Sequence, residues 1–241
     1  MKQKLLIAIS LALSLGSLVI LSQNVEEKDA RVAFLLGKVQ VQKQDSGKWT
    51  SLKLGDPVSE GDVVWTGNGS KTTLMYRGSE FRVLPNTKLK VNGLHGENKD
   101  GKLEVQSGFA WFHIVNLKGK KFEAGTPTTT AGVRGTSFSA FFDAKSKDSS
   151  FCTCEGKVAV SNKEQNGEGT LLEKGNGGYY SGGMGDPKKV QYEGIITKFK
   201  ALPPFKEMMK KNISLKNCLS CHKPEGWTPE QSSPADETYG K

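Results

Sequence analysis

The 241-residue chain is poor in the side chains that most often carry chemistry, with four cysteines and three histidines in all. It has no H-E-x-x-H pair, no phosphate-cradling glycine loop and no legible Ser-His-Asp arrangement, so metalloprotease, nucleotide-hydrolase and serine-hydrolase readings find no support and no enzyme is expected. Heptads and short-period repeats are missing as well, which sets aside coiled coils and solenoids. No EF-hand-like cluster of acids occurs. The net charge of +9 comes from lysines scattered along the chain, and it reads as a solvated basic surface, with no nucleic-acid footprint. What the chain does have is glycine, 28 residues of it, in a length that allows one substantial domain and an appendage. That balance favours a β-rich, turn-rich fold.

Lys2 and Lys4 precede an apolar run over 5–21, broken only by Ser10, Ser14, Gly16 and Ser17, the layout of an export signal. The following residues lack a small-x-small cleavage site, and no cysteine stands there for lipid attachment. The run is also close to the ~17-residue lower limit for a spanning helix. Residues 1–22 are therefore read as a signal peptide or an uncleaved N-terminal membrane anchor. In both cases the rest of the chain is expected in the periplasm or on the outer face of the cytoplasmic membrane.

Strand signals begin at Arg31 and continue through Val41. Gly55-Asp56 and Gly61-Asp62 read as turns whose carboxylates accept backbone N–H groups, in preference to calcium ligands or an acid/base pair. Segments 70–76, 80–84 and 88–91, with turns at Arg77-Gly78 and Pro85-Asn86, predict a meander of short strands. From Phe109 to Val115 both alternating sets are apolar apart from His113, which predicts a central strand covered on two faces. In 126–142, TPTTTAGVRGTSFSAFF, a turn at Arg134-Gly135 leads into a strand in which Ser137, Ser139 and Phe141 alternate with Phe138, Ala140 and Phe142. Arg134 is the candidate exposed contact of this stretch. Extended geometry puts Cys152, Cys154, Val158 and Val160 on one face, expected to point inward.

Several of these phrases resemble the FecR family of periplasmic all-β domains known from iron-transport signalling. The Thr126-Pro127 to Phe138 stretch is similar to its "TP…A.VRGT.F" signature, the paired Gly-Asp phrases to its "L..GD…EGD.I.T", and residues 78–89 to its "DGS.L.L.PNT.L". The resemblance covers about 32–190 and implies a sensing or scaffolding domain over 31–190, built as a sandwich or roll of short strands, with a protein or envelope partner. Arg77 and the cysteines at 152 and 154 depart from the family pattern. Only four residues precede the apolar run, so the family's cytoplasmic segment that speaks to a sigma factor is not expected here.

The tail, 191–241, has another texture. Ile195, Ile196, Phe199 and Leu202 recur at helical spacing up to Pro203-Pro204, and a short helical tail is expected. Cys218-x-x-Cys221-His222 follows, the pattern in which two thiols attach haem c and the histidine ligates its iron, and the surrounding residues resemble cytochrome c attachment segments. Met184, Met208, Met209, His95 and His113 are the candidates for a sixth ligand. Two other readings of the four cysteines stay open: disulfides between Cys152/Cys154 and Cys218/Cys221, or a zinc site from the same thiolates.

Overall fold

The computed structural model describes residues 28–191, apart from 45, 97–98, 116, 164–168, 175 and 181–187. Seventeen strands run through these residues, and no helix is found among them. The expected signal peptide or anchor, the helical tail and the CxxCH motif lie outside the described residues.

Two sheets make up the fold. The first is formed by β4 (Pro57–Val58), β1 (Ala30–Leu36), β6 (Lys71–Tyr76), β7 (Ser79–Val83), β9 (Gly101–His113), β12 (Ser137–Asp143), β13 (Asp148–Glu155), β16 (Asn176–Tyr180) and β17 (Lys188–Gln191), hydrogen-bonded in that order. The second is formed by β3 (Trp49–Ser51), β2 (Val39–Gln42), β5 (Val63–Thr66), β8 (Lys88–Gly93), β9 again, β10 (Phe122–Gly125), β11 (Thr129–Val133), β14 (Lys157–Asn162) and β15 (Thr170–Glu173). Every pairing is antiparallel except β9 with β10.

The long strand β9 belongs to both sheets. Its first half pairs with β8 and β10, and its second half with β7 and β12. The handover falls at Gly108, whose φ of 85° is natural only to glycine, and where a Cβ would stand 2.4 Å from Thr87 Oγ1. Thr87 holds the irregularity in place: its hydroxyl donates to the Phe109 carbonyl at 3.1 Å, and the Phe109 N–H donates back at 2.9 Å. One apolar cluster lies between the sheets, with Leu74, Phe81, Phe112, Phe138 and Phe151 from the first and Val64, Leu89, Val105, Phe122 and Val160 from the second.

The alternation read from β7 and β8 is present in their burial patterns, whereas β12 is buried on both faces from Ser137 to Phe142; the central strand expected at 109–115 is the second half of β9. Three expectations are corrected, all for one reason: the chain repeatedly crosses from one sheet to the other. The single first strand is two, β1 and β2, divided at Gly37. The meander ends after β7, because the chain crosses at Pro85-Asn86 and β8 pairs with β5 and β9 instead of β7. Gly156 likewise divides β13 from β14, so Cys152 and Cys154 lie in a different sheet from Val158 and Val160.

Candidate functional site

Strand alternation gives the first sheet a core face and an outward face, and the outward face carries its chemistry. Glu80 on β7 pairs with His113 on β9, His113 with Ser137 on β12, and Ser137 with Glu155 on β13, so four polar side chains form one row across four strands. The next row reads Arg82, Trp111, Ser139 and Cys152.

Within these rows the contacts are specific. The Arg82 guanidinium lies 4.3 Å from the centre of the Trp111 ring and grips Glu80 with two nitrogens, Nη2 donating to Oε2 at 3.0 Å and Nε to Oε1. That combination of a charge pair with a cation–π contact suits the planar guanidinium and would not survive exchange for lysine. Trp111 and His113 stack in parallel, with ring centres 6.2 Å apart. His113 Nδ1 sits 2.7 Å from Ser137 Oγ, and the same hydroxyl donates to Glu155 Oε2 at 3.4 Å. A serine has one hydroxyl hydrogen; with that hydrogen turned to Glu155, Nδ1 is the donor to the Ser137 oxygen. The carboxylate therefore meets the serine and not the histidine, an arrangement that orients an imidazole and does not build a nucleophile relay.

The other histidine read from the sequence has the opposite setting. His95 is buried between the sheets, its ring edge-on to Tyr76 at 5.1 Å and to Phe122 at 5.9 Å. Neither of its ring nitrogens has a hydrogen-bond partner among the described residues, although its carbonyl accepts from the Tyr76 hydroxyl at 2.6 Å. Burial, reinforced by the charge of Arg77, holds its pKa below the ordinary value of 6.5.

The Gly-Asp turns behave as turn chemistry. Asp62 is buried and accepts from the Ser59 N–H at 2.8 Å, the Gln44 N–H at 3.4 Å and Lys43 Nζ at 2.6 Å. Asp56 accepts from the Lys53 N–H at 2.8 Å. Among the described residues no group of three or more metal-ligating side chains is gathered.

Arg134 is exposed at the turn between β11 and β12, as expected. Cys152 is buried opposite Ser139, on the face away from the core cluster and not inward as expected, because Phe151 takes the core side; Cys154 is half-buried at the register shift beside Ser137. Cys218, Cys221, His222, Met184, Met208 and Met209 lie outside the described residues. Sequence reading singled out His113 but missed Arg82, Ser137 and Glu155. The i, i+2 polar positions on strands were visible; the register that lines them up across four strands was not.

No curated protein matches the chain. Two crystal structures of a protein from Parabacteroides distasonis described as a "putative anti-sigma factor", at 2.50 Å and 1.65 Å, resemble it with 18% identity and TM-scores of 0.47 and 0.46, over 54% of this chain. The chain spans 59% of the length of those structures. Residues 62–159, which run from the turn before β5 into β14 and include both polar rows, match the model of the FecR protein family.

Proposed function

We propose that this chain is an exported, non-enzymatic FecR-like sensing and scaffold module that carries a covalently attached haem c in its tail. The observation that carries the haem is the Cys218-x-x-Cys221-His222 pattern, with the thiols spaced for two thioethers and the histidine placed for iron. The match over residues 62–159 supports the sensing and scaffold part. The periplasm is the compartment in which haem is attached in this way, and the N-terminal run is consistent with export there. The partner is a protein of the cell envelope.

Among the five candidates for a sixth ligand, His113 has the preparation such a ligand needs. Its Nδ1 is held by Ser137, which orients the ring on an outward face with Nε2 as the nitrogen left for a ligand bond. His95, enclosed between Tyr76 and Phe122, has the setting of an interior residue.

Absorption spectra of the full chain, produced with a cytochrome maturation system, test the proposal. A Soret band that stays with the polypeptide after denaturation is expected. Its absence sinks the haem reading. Reoxidation by an added acceptor on a millisecond scale would replace sensing with electron transfer, whereas slow exchange with ligand-dependent spectra supports sensing.

A second reading is favoured by the pair on β13. Cys152 and Cys154 occupy the sheet from whose last strand the tail departs, so a zinc site or disulfides with Cys218 and Cys221 would tie the tail to the domain. Metal analysis and peptide mapping of the unreduced protein distinguish this from haem.

A further inference from the structure

We propose that the outward face of the second sheet, where β3, β2, β5 and β8 lie side by side, binds a glycan chain bearing carboxylate groups. The inference rests neither on haem nor on the tail. Val41, Val64 and Leu89 belong to the core cluster, so the residues on either side of each, Gln40 and Gln42, Val63 and Trp65, Lys88 and Lys90, face out. The register puts Trp49, Gln42, Val63 and Lys90 in one row and Gln40, Trp65 and Lys88 in the next. Three strand spacings, roughly 14 Å, separate β3 from β8, room for more than one sugar ring. The rows of Glu80 and His113 lie on the other sheet, so the two outward faces can be occupied independently.

Side-chain chemistry chooses the occupant. The two tryptophans meet edge to face with ring centres 6.5 Å apart. Lys38 Nζ stands 5.5 Å from the centre of the Trp65 ring, and Lys88 Nζ 5.9 Å from that of Trp49. Trp49 is 37% exposed, and both lysines are exposed. A pyranose offers an apolar face of C–H groups, whose slight positive charge suits the negative face of an indole, and a rim of hydroxyls that needs donors and acceptors. Gln40 and Gln42 supply amides beside the rings, and a cavity of about 380 Å³ at Lys90 adds those of Gln44 and Asn92. Charge narrows the class of sugar. Lys38 and Lys88 have no ion pair among the described residues. Glu104, opposite Lys90, is engaged by Lys163 at 2.9 Å, and Glu60 at the cavity pairs with Lys99. The cations beside the rings are thus left for a carboxylate, which an ammonium meets with a charge-assisted hydrogen bond. A lipid surface is the poorer match, because Trp49 is the one large apolar side chain exposed on this stretch of β3, β2, β5 and β8 among the described residues.

Titration of the full chain with hexamannuronate, followed by tryptophan fluorescence and calorimetry, tests this. Saturable binding is expected, weakened about tenfold or more by Trp49→Ala, which removes a ring from an exposed edge strand, and several-fold by Lys88→Gln. Lys145→Gln, at the exposed turn between β12 and β13, controls for net charge and should bind as the natural chain does. A neutral glucan hexamer should bind more weakly than the hexuronate. Circular dichroism checks each variant, and K88Q carries the comparison if W49A loses its fold. No binding by the natural chain at millimolar hexuronate, undiminished binding by the folded variants, an equal loss in K145Q, or equal binding of the neutral hexamer would each overturn the proposal. Binding to phosphatidylglycerol vesicles without binding to the hexuronate would overturn it in favour of a membrane surface. None of these readouts requires haem, so failure of this inference and failure of the haem reading can be told apart.

Discussion

Gly156 lies so close to Thr136 that a Cβ on the glycine would stand 2.4 Å from Thr136 Cγ2. This is where β13 ends and the chain crosses to β14, with φ at 78°. Contact and conformation both require glycine there. Gly156→Ala is expected to lower stability by about 1–3 kcal/mol through backbone strain and steric displacement. Thermal unfolding reads the loss, and T136S, which removes the contacting methyl group, should recover part of it in the double variant. An alanine variant that melts with the natural protein would show that the crossing is not constrained as described.

The two Gly-Asp turns should differ in weight. Removing Asp62 strands the Ser59 and Gln44 N–H groups, while the Lys43 ammonium keeps water and the Pro57 carbonyl at 3.0 Å. Asp62→Ala should cost about 2–3 kcal/mol, while Asp56→Ala, which frees one exposed N–H, should stay within about 1 kcal/mol. Urea titrations of both variants compare them; equal losses would contradict this assignment.

His95 makes the domain sensitive to acid. Its folded pKa lies below 6.5, so the unfolded chain binds more protons as pH falls past that value. Its contribution is fully present above pH 6.5 and is lost progressively below it. His95→Phe removes two nitrogens that have no partner among the described residues and keeps an aromatic ring beside Tyr76 and Phe122. The variant should match the natural protein in melting temperature at pH 7.5 or exceed it, and should show a flatter decline between pH 6.5 and 5. An unchanged pH profile would rule His95 out as the cause.

Glu104 acts on the carboxylate range in the same direction. Burial raises its pKa, but the hydrogen bond and charge of Lys163, at 2.9 Å, with help from Gln106 and Lys90, outweigh this and hold it below its ordinary value of 4.5. The stability it supplies is present above pH 4.5 and disappears as pH falls through the depressed folded value. Lys163→Gln should flatten that acid-side slope and lower stability at pH 7 by the same small amount, small because the lysine is partly in water. Denaturation curves between pH 5 and pH 3 read the difference.

On the haem reading proposed above, loss of the haem should leave the β domain standing. On that reading, Cys218→Ser with Cys221→Ser is expected to abolish covalent haem while moving the main unfolding transition by less than about 2 °C. Coincident loss of the Soret band and of the β-rich circular dichroism would instead make haem part of the core.

Local patterns were legible in the sequence because they depend on near neighbours. The turn at Arg134-Gly135, the alternation through Phe138, Ala140 and Phe142, and the capping role of Asp62 each follow from a few consecutive residues. The sheet crossings at Gly37, Pro85-Asn86 and Gly156 were not, since a glycine between two strand-like runs reads equally as a bulge, a turn or a change of sheet. The site suffered most from this. Arg82 and Trp111 are 29 positions apart, and only the pairing of β7 with β9 stacks one on the other.

Because β9 is hydrogen-bonded into both sheets, the domain has no internal seam. Withdrawing one sheet would strip a long strand of half its partners in the other, so the halves are expected to melt as a single cooperative unit. Excision of either sheet as a stand-alone fragment would cut through that strand. A load applied at the outward face near His113 passes along one continuous backbone to the second sheet at Gly101.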